Sequence, residues 1–302
     1  MQIMREARTK WAVAAWVVVA GAGCAKEPAP PTLVEGGTAS AAATDPELTA
    51  LVPQIEACGW DDRLGLKGYK ACAPAETAEK LAPTSPKGFA TMVAWVQAPS
   101  PAVRSVGAGG LWLGAFSDAQ RKDCDGGKRV QAALAKESAP AVAWRLANAW
   151  HQFVRRCPEQ DRDFQAFVGN RAFAVVEARR VVVSDLAPEV LARPGWFETL
   201  ATVVYDLRDD PDVRESAPKA FKNLPPERKR AGAAILRGLL GERAPERTVP
   251  RPLPGPDLAE QAAMTLASMQ ADEGFADVVE AARRELAAGG SGRGSCRRST
   301  ST

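Results

Sequence analysis

The chain of 302 residues contains a single histidine, His151. Histidine is the commonest metal ligand and the usual base beside a serine or cysteine nucleophile, so its scarcity removes most sites of either kind. The sequence also lacks the motifs of serine hydrolases, zinc proteases, P-loop proteins and dinucleotide-binding folds. No nucleophile and orienting group accompany His151, and we expect it to be a packed residue. We therefore predict no catalytic activity, no cofactor and no metal.

The sequence also has little excess charge of either sign and few patterns typical of strands. Lys and Arg total 39 against 36 for Asp and Glu, a net charge of +3 that does not indicate a nucleic-acid partner. No segment alternates apolar and polar residues convincingly, and the one β-branched run, at 181–183, favours a helix end or a buried connection. With 46% apolar residues, the sequence predicts an all-α fold with a sizeable core.

The beginning of the chain has the pattern of a targeting segment. Basic residues within positions 1–10 precede an uninterrupted apolar run at positions 11–20. This arrangement is typical of a secretory signal. Even when it is extended to position 25, the run is shorter than the roughly 20 residues that a membrane-spanning helix needs. We therefore expect the segment to be cleaved.

The small residues 21–23 and Cys24 (Gly-Ala-Gly-Cys) resemble the lipobox of bacterial lipoproteins, although the family usually has Leu in place of the first glycine. The resemblance implies that residues 1–23 are removed and that Cys24 becomes the lipid-modified N-terminus. Because Ala25 is not acidic, it also implies transfer to the outer membrane. Two alternatives remain, namely ordinary secretion after an A-x-A site at 20–22 and an uncleaved anchor.

Composition divides the remaining chain into three parts. Residues 24–45 are rich in Pro, Ala, Thr and Gly, which predicts a disordered tether. Residues 289–302 are rich in Gly and Ser and carry scattered Arg, which predicts a disordered basic tail. Residues 46–288 lie between these segments and contain the periodic apolar patterns of helices, so we predict one α-helical domain there.

Three predicted helices begin in the same way. Pro101, Pro140 and Pro211 each precede a pattern of apolar residues with helical spacing. Proline is favoured in the first turn because the N–H that it lacks has no intrahelical partner there. The separations are 140 − 101 = 39 and 211 − 140 = 71 residues, and 71 is nearly twice 36. Periods in the high thirties are typical of repeats of two helices.

The segment at 210–214 (Asp-Pro-Asp-Val-Arg) resembles the start of the second helix of a HEAT repeat, and 100–104 (Ser-Pro-Ala-Val-Arg) is similar. The third start, at position 140, lacks the arginine. The resemblance implies an irregular HEAT-like solenoid of stacked helix pairs, and generic helix stacking is the alternative. In the repeat interpretation, equivalent inter-helix positions are buried at Val103, Val142 and Val213. Two departures are Pro218 inside an expected helix and the absence of a complete second helix over 179–194.

Four cysteines lie in the predicted helical domain, and an even number in an oxidising compartment indicates disulfides. Of the three possible pairings, proximity in the sequence favours Cys58 with Cys72 and Cys124 with Cys157. A metal site is the alternative, but the chain has no C-x-x-C motif and one histidine to complete it. Cys296 remains over in the tail, where we expect a free thiol.

Trp112 and Trp144 lie off the main apolar stripes of their predicted helices. They either fill the core between helices or line the concave surface of the array and anchor a partner. We expect a lipid-anchored scaffold or interaction module whose partner is another protein of the envelope. The alternative is an enzyme or small-ligand carrier with a pocket between helices.

Overall fold

The computed structural model describes residues 44–62, 64–66, 72–240, 257–269 and 280. The signal segment, Cys24, all but the last two residues of the tether, Cys296 and the basic tail lie outside the described residues. Within those residues the structure is helical apart from one short hairpin, which confirms the predicted all-α class. No helix among them is long and apolar enough to cross a membrane.

Most of the helices follow one another with short connections. In chain order they are α1 Pro46–Ala57, α2 Ala73–Leu81, α3 Gly88–Trp95, α4 Pro101–Leu113, α5 Asp118–Arg121, α6 Cys124–Leu134, α7 Pro140–Val154, α8 Asp161–Gly169, α9 Val176–Ser184, α10 Pro188–Leu191, α11 Trp196–Tyr205, α12 Pro211–Ser216, α13 Pro226–Leu239 and α14 Leu258–Ser268. Short 3₁₀ segments are Ala82–Thr84, Pro158–Gln160 and Ala217–Asn223. The strands β1 Trp60–Asp61 and β2 Gly65–Leu66 pair antiparallel.

The central helices form two layers. Helices α4, α7, α9 and α12 pack side by side in that order, and we call them layer A. Each has one helix of layer B beside it: α3 beside α4, α6 beside α7, α8 beside α9 and α11 beside α12. Helices α1 and α2 pack at the α4 end, and α13 and α14 pack beyond α12. Residues 88–216 therefore contain four successive helix pairs.

The prolines that were predicted to open helices do so. Pro101, Pro140 and Pro211 are the first residues of α4, α7 and α12. The residue two positions further on is buried in all three helices, at Val103, Val142 and Val213. Equivalent positions of three layer A helices thus face the core, as the repeat interpretation requires.

The fourth layer A helix corrects the prediction that residues 179–194 lack a complete second helix. Helix α9 begins at Val176, which is 176 − 140 = 36 residues after the start of α7 and 211 − 176 = 35 residues before the start of α12. Its first turn contains no proline, so the local signal of the other three starts is missing. The preceding helix α8 ends at Gly169, and Val175 is the N-cap of α9.

An arginine recurs at the fourth position of three layer A helices. Arg104 in α4 donates to the carbonyl oxygens of two residues that follow α3, at 3.0 and 2.7 Å. Arg179 in α9 donates to the Val168 oxygen near the end of α8, and Arg214 in α12 donates to the Val204 oxygen in α11. The last carbonyls of a helix have no intrahelical partner, so Arg179 and Arg214 satisfy the ends of α8 and α11, and Arg104 satisfies the chain just after α3.

Arg179 is also one half of a buried ion pair. Its Nη1 and Nη2 atoms each lie 2.7 Å from a carboxylate oxygen of Asp209, in the connection between α11 and α12. Both side chains are buried, and Asp209 also accepts the N–H of Asp210, the N-cap of α12. A bidentate pair of this kind has a defined geometry. It therefore fixes the α8–α9 pair against the α11–α12 pair.

Two glycines allow α4 to approach α3 closely. A Cβ atom at Gly107 would lie 2.8 Å from the Cβ of Trp95, and one at Gly110 would lie 2.8 Å from the Sδ of Met92. Atoms do not approach so closely without displacement, so a side chain at Gly107 would push against the backbone of α3, and one at Gly110 would displace the Met92 side chain. The glycines thus serve helix packing.

Pro218 does not interrupt a helix of layer A. Helix α12 ends at Ser216, and Pro218 is the second residue of the 3₁₀ segment Ala217–Asn223. Proline is tolerated there because the first N–H groups of a helical segment have no internal partner. The departure from the repeat pattern noted in the sequence therefore marks the end of α12.

Both predicted disulfides are present. Cys58 is bonded to Cys72, and Cys124 is bonded to Cys157, with a Cα separation of 5.7 Å in each pair. The first closes the segment between α1 and α2, which includes the β1–β2 hairpin. The second joins the start of α6 to the residue that precedes the 3₁₀ segment after α7.

Removing the two disulfides should destabilise the fold unequally. The paired cysteines are 14 and 33 residues apart, and the unfolded chain loses more conformational freedom when a longer loop is closed. On the chain-entropy estimate, Cys58→Ser with Cys72→Ser should cost about 3 kcal/mol, and Cys124→Ser with Cys157→Ser about 4 kcal/mol. Urea unfolding of the two double variants measures the difference, and unchanged stability in the second would contradict the prediction.

Truncation of the equivalent valines should destabilise the fold to a similar extent. Val103→Ala, Val142→Ala and Val213→Ala each remove two buried methyl groups, which should cost about 1 to 3 kcal/mol. Leu207→Ala is the control, because Leu207 is 76% exposed and its truncation should change stability by less than about 0.5 kcal/mol. The free energy of unfolding in urea checks all four, and a valine variant as stable as the control would refute the repeat interpretation at that position.

Candidate functional site

The structure brings together the two tryptophans that the sequence singled out. The rings of Trp112 in α4 and Trp144 in α7 have centroids 5.1 Å apart and an interplanar angle of 79°, an edge-to-face contact. This is a favourable geometry for aromatic rings. Both side chains are half-buried, so each keeps part of its surface in solvent. The sequence indicated each residue separately, whereas the contact between them depends on the packing of α4 against α7.

Both rings lie on the side of layer A that faces away from layer B. On α4, Gly110 faces α3, and Trp112 lies two residues further on, about 200° around the helix. On α7, Phe153 faces α6, because a Cβ at Gly127 would lie 2.9 Å from its Cβ. Trp144 lies nine residues earlier, about 180° around the helix from Phe153. We call Trp112 and Trp144 the aromatic pair.

A guanidinium group adjoins the aromatic pair. The Cζ of Arg145 lies 5.8 Å from the centroid of the Trp144 ring, within the range of a cation–π contact. Its Nη1 lies 3.2 Å from Glu79 Oε1 in α2 and donates to the Ser105 oxygen in α4. A Cβ at Gly109 would lie 2.6 Å from that nitrogen, so this glycine makes room for the arginine. The sequence did not indicate the Arg145–Glu79 ion pair, because the two residues are 66 positions apart.

The β1–β2 hairpin lies beside the start of α7. The Ala141 N–H donates to the Asp62 oxygen at 3.4 Å, and the Trp60 indole N–H donates to the Asp62 carboxylate at 2.7 Å. Leu64, in the turn of the hairpin, is 85% exposed. At the end of α4, Leu113 follows Trp112 and is 58% exposed. Leu113 is thus an exposed apolar side chain next to Trp112 in the chain, and Leu64 belongs to the hairpin that contacts the start of the helix that carries Trp144.

His151 is a packed residue, as the sequence analysis predicted. Its Nε2 accepts the N–H of Ala187 at 3.3 Å, and its ring stacks on Phe164 with centroids 5.7 Å apart. Burial, with the nearby Arg155 guanidinium, lowers the pKa of His151 from 6.5 to about 4. The imidazole is therefore neutral at pH 7 and acts as a hydrogen-bond acceptor inside the fold.

One group of potential metal ligands includes two cysteines that form a disulfide. The sulfur atoms of Cys124 and Cys157 and a carboxylate oxygen of Glu159 lie within 4.8 Å of one another. The two sulfur atoms are bonded to each other, however, and metals bind cysteine as the free thiolate. In the disulfide form, Glu159 is the one ordinary ligand of the three.

A cleft of about 240 Å³ lies between the α10–α11 region and the start of α13. Its lining includes Arg193, Phe197, Glu198 and Arg228. The Arg228 guanidinium lies 5.4 Å from the Phe197 ring centroid and 3.8 Å from a carboxylate oxygen of Glu198. Two of the charged groups of the cleft, Arg228 and Glu198, thus contact each other. No local motif in the sequence indicated this cleft, because its walls come from elements about 30 residues apart.

Comparison of the chain with protein-family models finds no match, and comparison with curated proteins finds none either.

Proposed function

We propose that this chain is a lipid-anchored protein of the bacterial envelope that binds another envelope protein and has no catalytic role. The aromatic pair is the observation that carries the binding part of the proposal. Trp112 and Trp144 are half-buried, contact each other and lie on a side of layer A that layer B does not cover.

The aromatic pair has the physical properties of a protein-binding site. Tryptophan offers a large contact area and loses little rotamer freedom, and it is enriched among residues that dominate interface energies. The edge-to-face contact and the adjoining Arg145–Glu79 ion pair hold the rings in place before a partner arrives. A surface ordered in advance costs less conformational entropy on binding.

We further propose that the body is a HEAT-like array. The layer A helices start 39, 36 and 35 residues apart along the chain, a spacing that fits repeats of two helices. The arginine at the fourth position of α4, α9 and α12 donates in each case to a carbonyl group near the end of the partner helix or just after it, which supports a common repeat. Such arrays present an extended side to their partners.

The anchor rests on the start of the sequence. An apolar run at 11–20 and the Gly-Ala-Gly-Cys segment that ends at Cys24 favour a lipoprotein of the outer membrane, with residues 24–45 as the tether. The small net charge of +3 supports a protein partner over nucleic acid.

A second candidate function is a carrier or enzyme that uses the cleft beside α13. The cleft volume of about 240 Å³ supports this alternative. It is smaller, however, than the roughly 300–1,000 Å³ of most small-molecule sites, and its arginine and glutamate contact each other. The aromatic pair is therefore the stronger candidate.

Substitution of the aromatic pair should weaken partner binding without unfolding the protein. A photo-crosslinking amino acid at position 113, beside the pair, should capture the partner in envelope preparations, and the same amino acid at position 207 is the control. With the captured partner purified, Trp112→Ala with Trp144→Ala should raise the Kd about 30-fold or more, the effect of losing about 2 kcal/mol. Leu207→Ala should leave it unchanged. Equal crosslinking at the two positions, or an unaltered Kd, would remove the aromatic pair as the site.

Loss of the lipid-bearing cysteine should release the protein from membranes. Cys24→Ala should shift the protein from the membrane fraction to the soluble fraction and abolish incorporation of labelled palmitate, because no other position in a lipobox carries the acyl chains. Cys296→Ala is the matched control and should leave both measurements unchanged. Membrane association of Cys24→Ala with residues 1–23 retained would instead show an uncleaved anchor.

A further inference from the structure

A short segment between α9 and α11 lies across the end of α7. It comprises residues 186–193, includes α10, and is called the latch segment here. Its apolar side chains Leu186, Val190 and Leu191 are buried in the core. Its polar contacts to α7 are equally specific. Glu189 pairs with Arg155, the Arg193 guanidinium donates to the oxygens of Val154 and Arg155, and the Ala187 N–H donates to His151.

The contact between Ala187 and His151 requires a neutral imidazole. A neutral ring offers one nitrogen as an acceptor, whereas a protonated ring has two N–H donors and no acceptor. Protonation would therefore set the ring N–H against the Ala187 N–H. Since His151 is 4% exposed, neither group would have water as a substitute, and a buried donor without an acceptor is costly.

The charged groups around His151 do not compensate for a proton on its ring. They are Arg155 directly after α7, Glu189 on α10 and Arg193 after α10, while α8 contributes the uncharged ring of Phe164. Two guanidinium groups thus disfavour the protonated ring of His151, and one carboxylate favours it. Burial raises the pKa of Glu189, but its own backbone N–H and Arg155 outweigh burial and hold that pKa below its usual range. The Arg155–Glu189 pair therefore persists in mild acid.

We propose that residues 186–193 form an acid-sensitive latch, which opens when protonation of His151 removes the acceptor for Ala187 while layers A and B stay folded. The inference goes beyond the proposed function and does not depend on it. It is carried by the geometry of one buried imidazole, whose Nε2 accepts the Ala187 N–H and so joins α7 to the backbone of the latch segment.

The direction of the pH dependence follows from linkage. In the open state the ring meets water and titrates near 6.5, whereas in the closed state burial lowers its pKa to about 4. The closed state therefore binds fewer protons, and its advantage is lost as the pH falls from 6.5 towards 4. The opening constant should rise about tenfold per pH unit in this window and approach about 300-fold below it.

Opening would also change the cleft beside α13. Leu191, Ala192 and Arg193 belong to the latch segment and line that cleft, together with Pro194 and Gly195 directly after it. Gly195 has a φ of 85°, in the left-handed region that favours glycine, and is the N-cap of α11. Movement of the latch segment would thus remove one wall of the cleft while α11 and α13 remain in place.

Hydrogen exchange of the full chain between pH 7.5 and 4 tests the latch. The amides of Ala187, Val190 and Leu191 are bonded in the closed state. After correction for the intrinsic exchange rate, their protection should fall about 100-fold over this range, while amides of α4 keep theirs. Constant protection in the latch segment would overturn the proposal, and so would an equal loss in α4, which would show global unfolding.

The variant His151→Gln separates titration from packing. Its amide oxygen accepts the Ala187 N–H and does not titrate, so the protection of the latch segment should no longer depend on pH between 7 and 4. A pH dependence equal to that of the wild type would overturn the proposal. If the variant fails to fold, NMR titration of the wild type decides, because the chain has one histidine and hence one imidazole signal. A midpoint near 6.5 with unchanged protection would refute the latch.

Discussion

Each helix of layer A is buried from more than one direction, and the rest of the fold depends on this constraint. Helix α7 packs against α4 on one flank, α9 on the other and α6 in layer B. A helix of this kind cannot bury its apolar surface alone, since its faces belong to three different contacts. The close approach of α4 to α3 through Gly107 and Gly110, and the buried valines at the starts of α4, α7 and α12, are consequences of the same constraint.

Close packing of helices in two layers leaves carbonyl groups at the helix ends without intrahelical partners, and arginine side chains donate to several of them. Arg179 and Arg214 satisfy carbonyl groups of their layer B partners, Arg104 satisfies those just after α3, and Arg121 donates to carbonyl groups at the end of α4. A guanidinium stays charged at every physiological pH, so these contacts do not titrate. The contact of His151 with Ala187 is of the opposite type, because one proton abolishes it.

Local signals in the sequence predicted the helix starts and the disulfides, which depend on residues close together in the chain. Proline at the first turn located the starts of α4, α7 and α12, and the even number of cysteines together with their spacing predicted both disulfides. Helix α9 was not predicted because its first turn has no proline, although Arg179 is the fourth residue of α9, as Arg104 and Arg214 are of α4 and α12. The contacts of Trp112 with Trp144 and of His151 with Ala187 join residues 32 and 36 positions apart, and they depend on tertiary packing that no local pattern encodes.

The arginine contacts have a consequence for how such an array changes in length. Arg179 and Arg214 bond to the helix that precedes their own, and Arg104 bonds to the chain just after α3, so each of these carbonyl contacts is made inside one helix pair. Between neighbouring pairs, contact in layer A is chiefly apolar and is tolerant of exchange between residues of similar volume. Duplication or loss of one whole unit of about 36 residues would leave every remaining guanidinium with its carbonyl partner. Such a change would still need compensation where charges join neighbouring pairs, because loss of the α11–α12 pair would leave the buried Arg179 without Asp209.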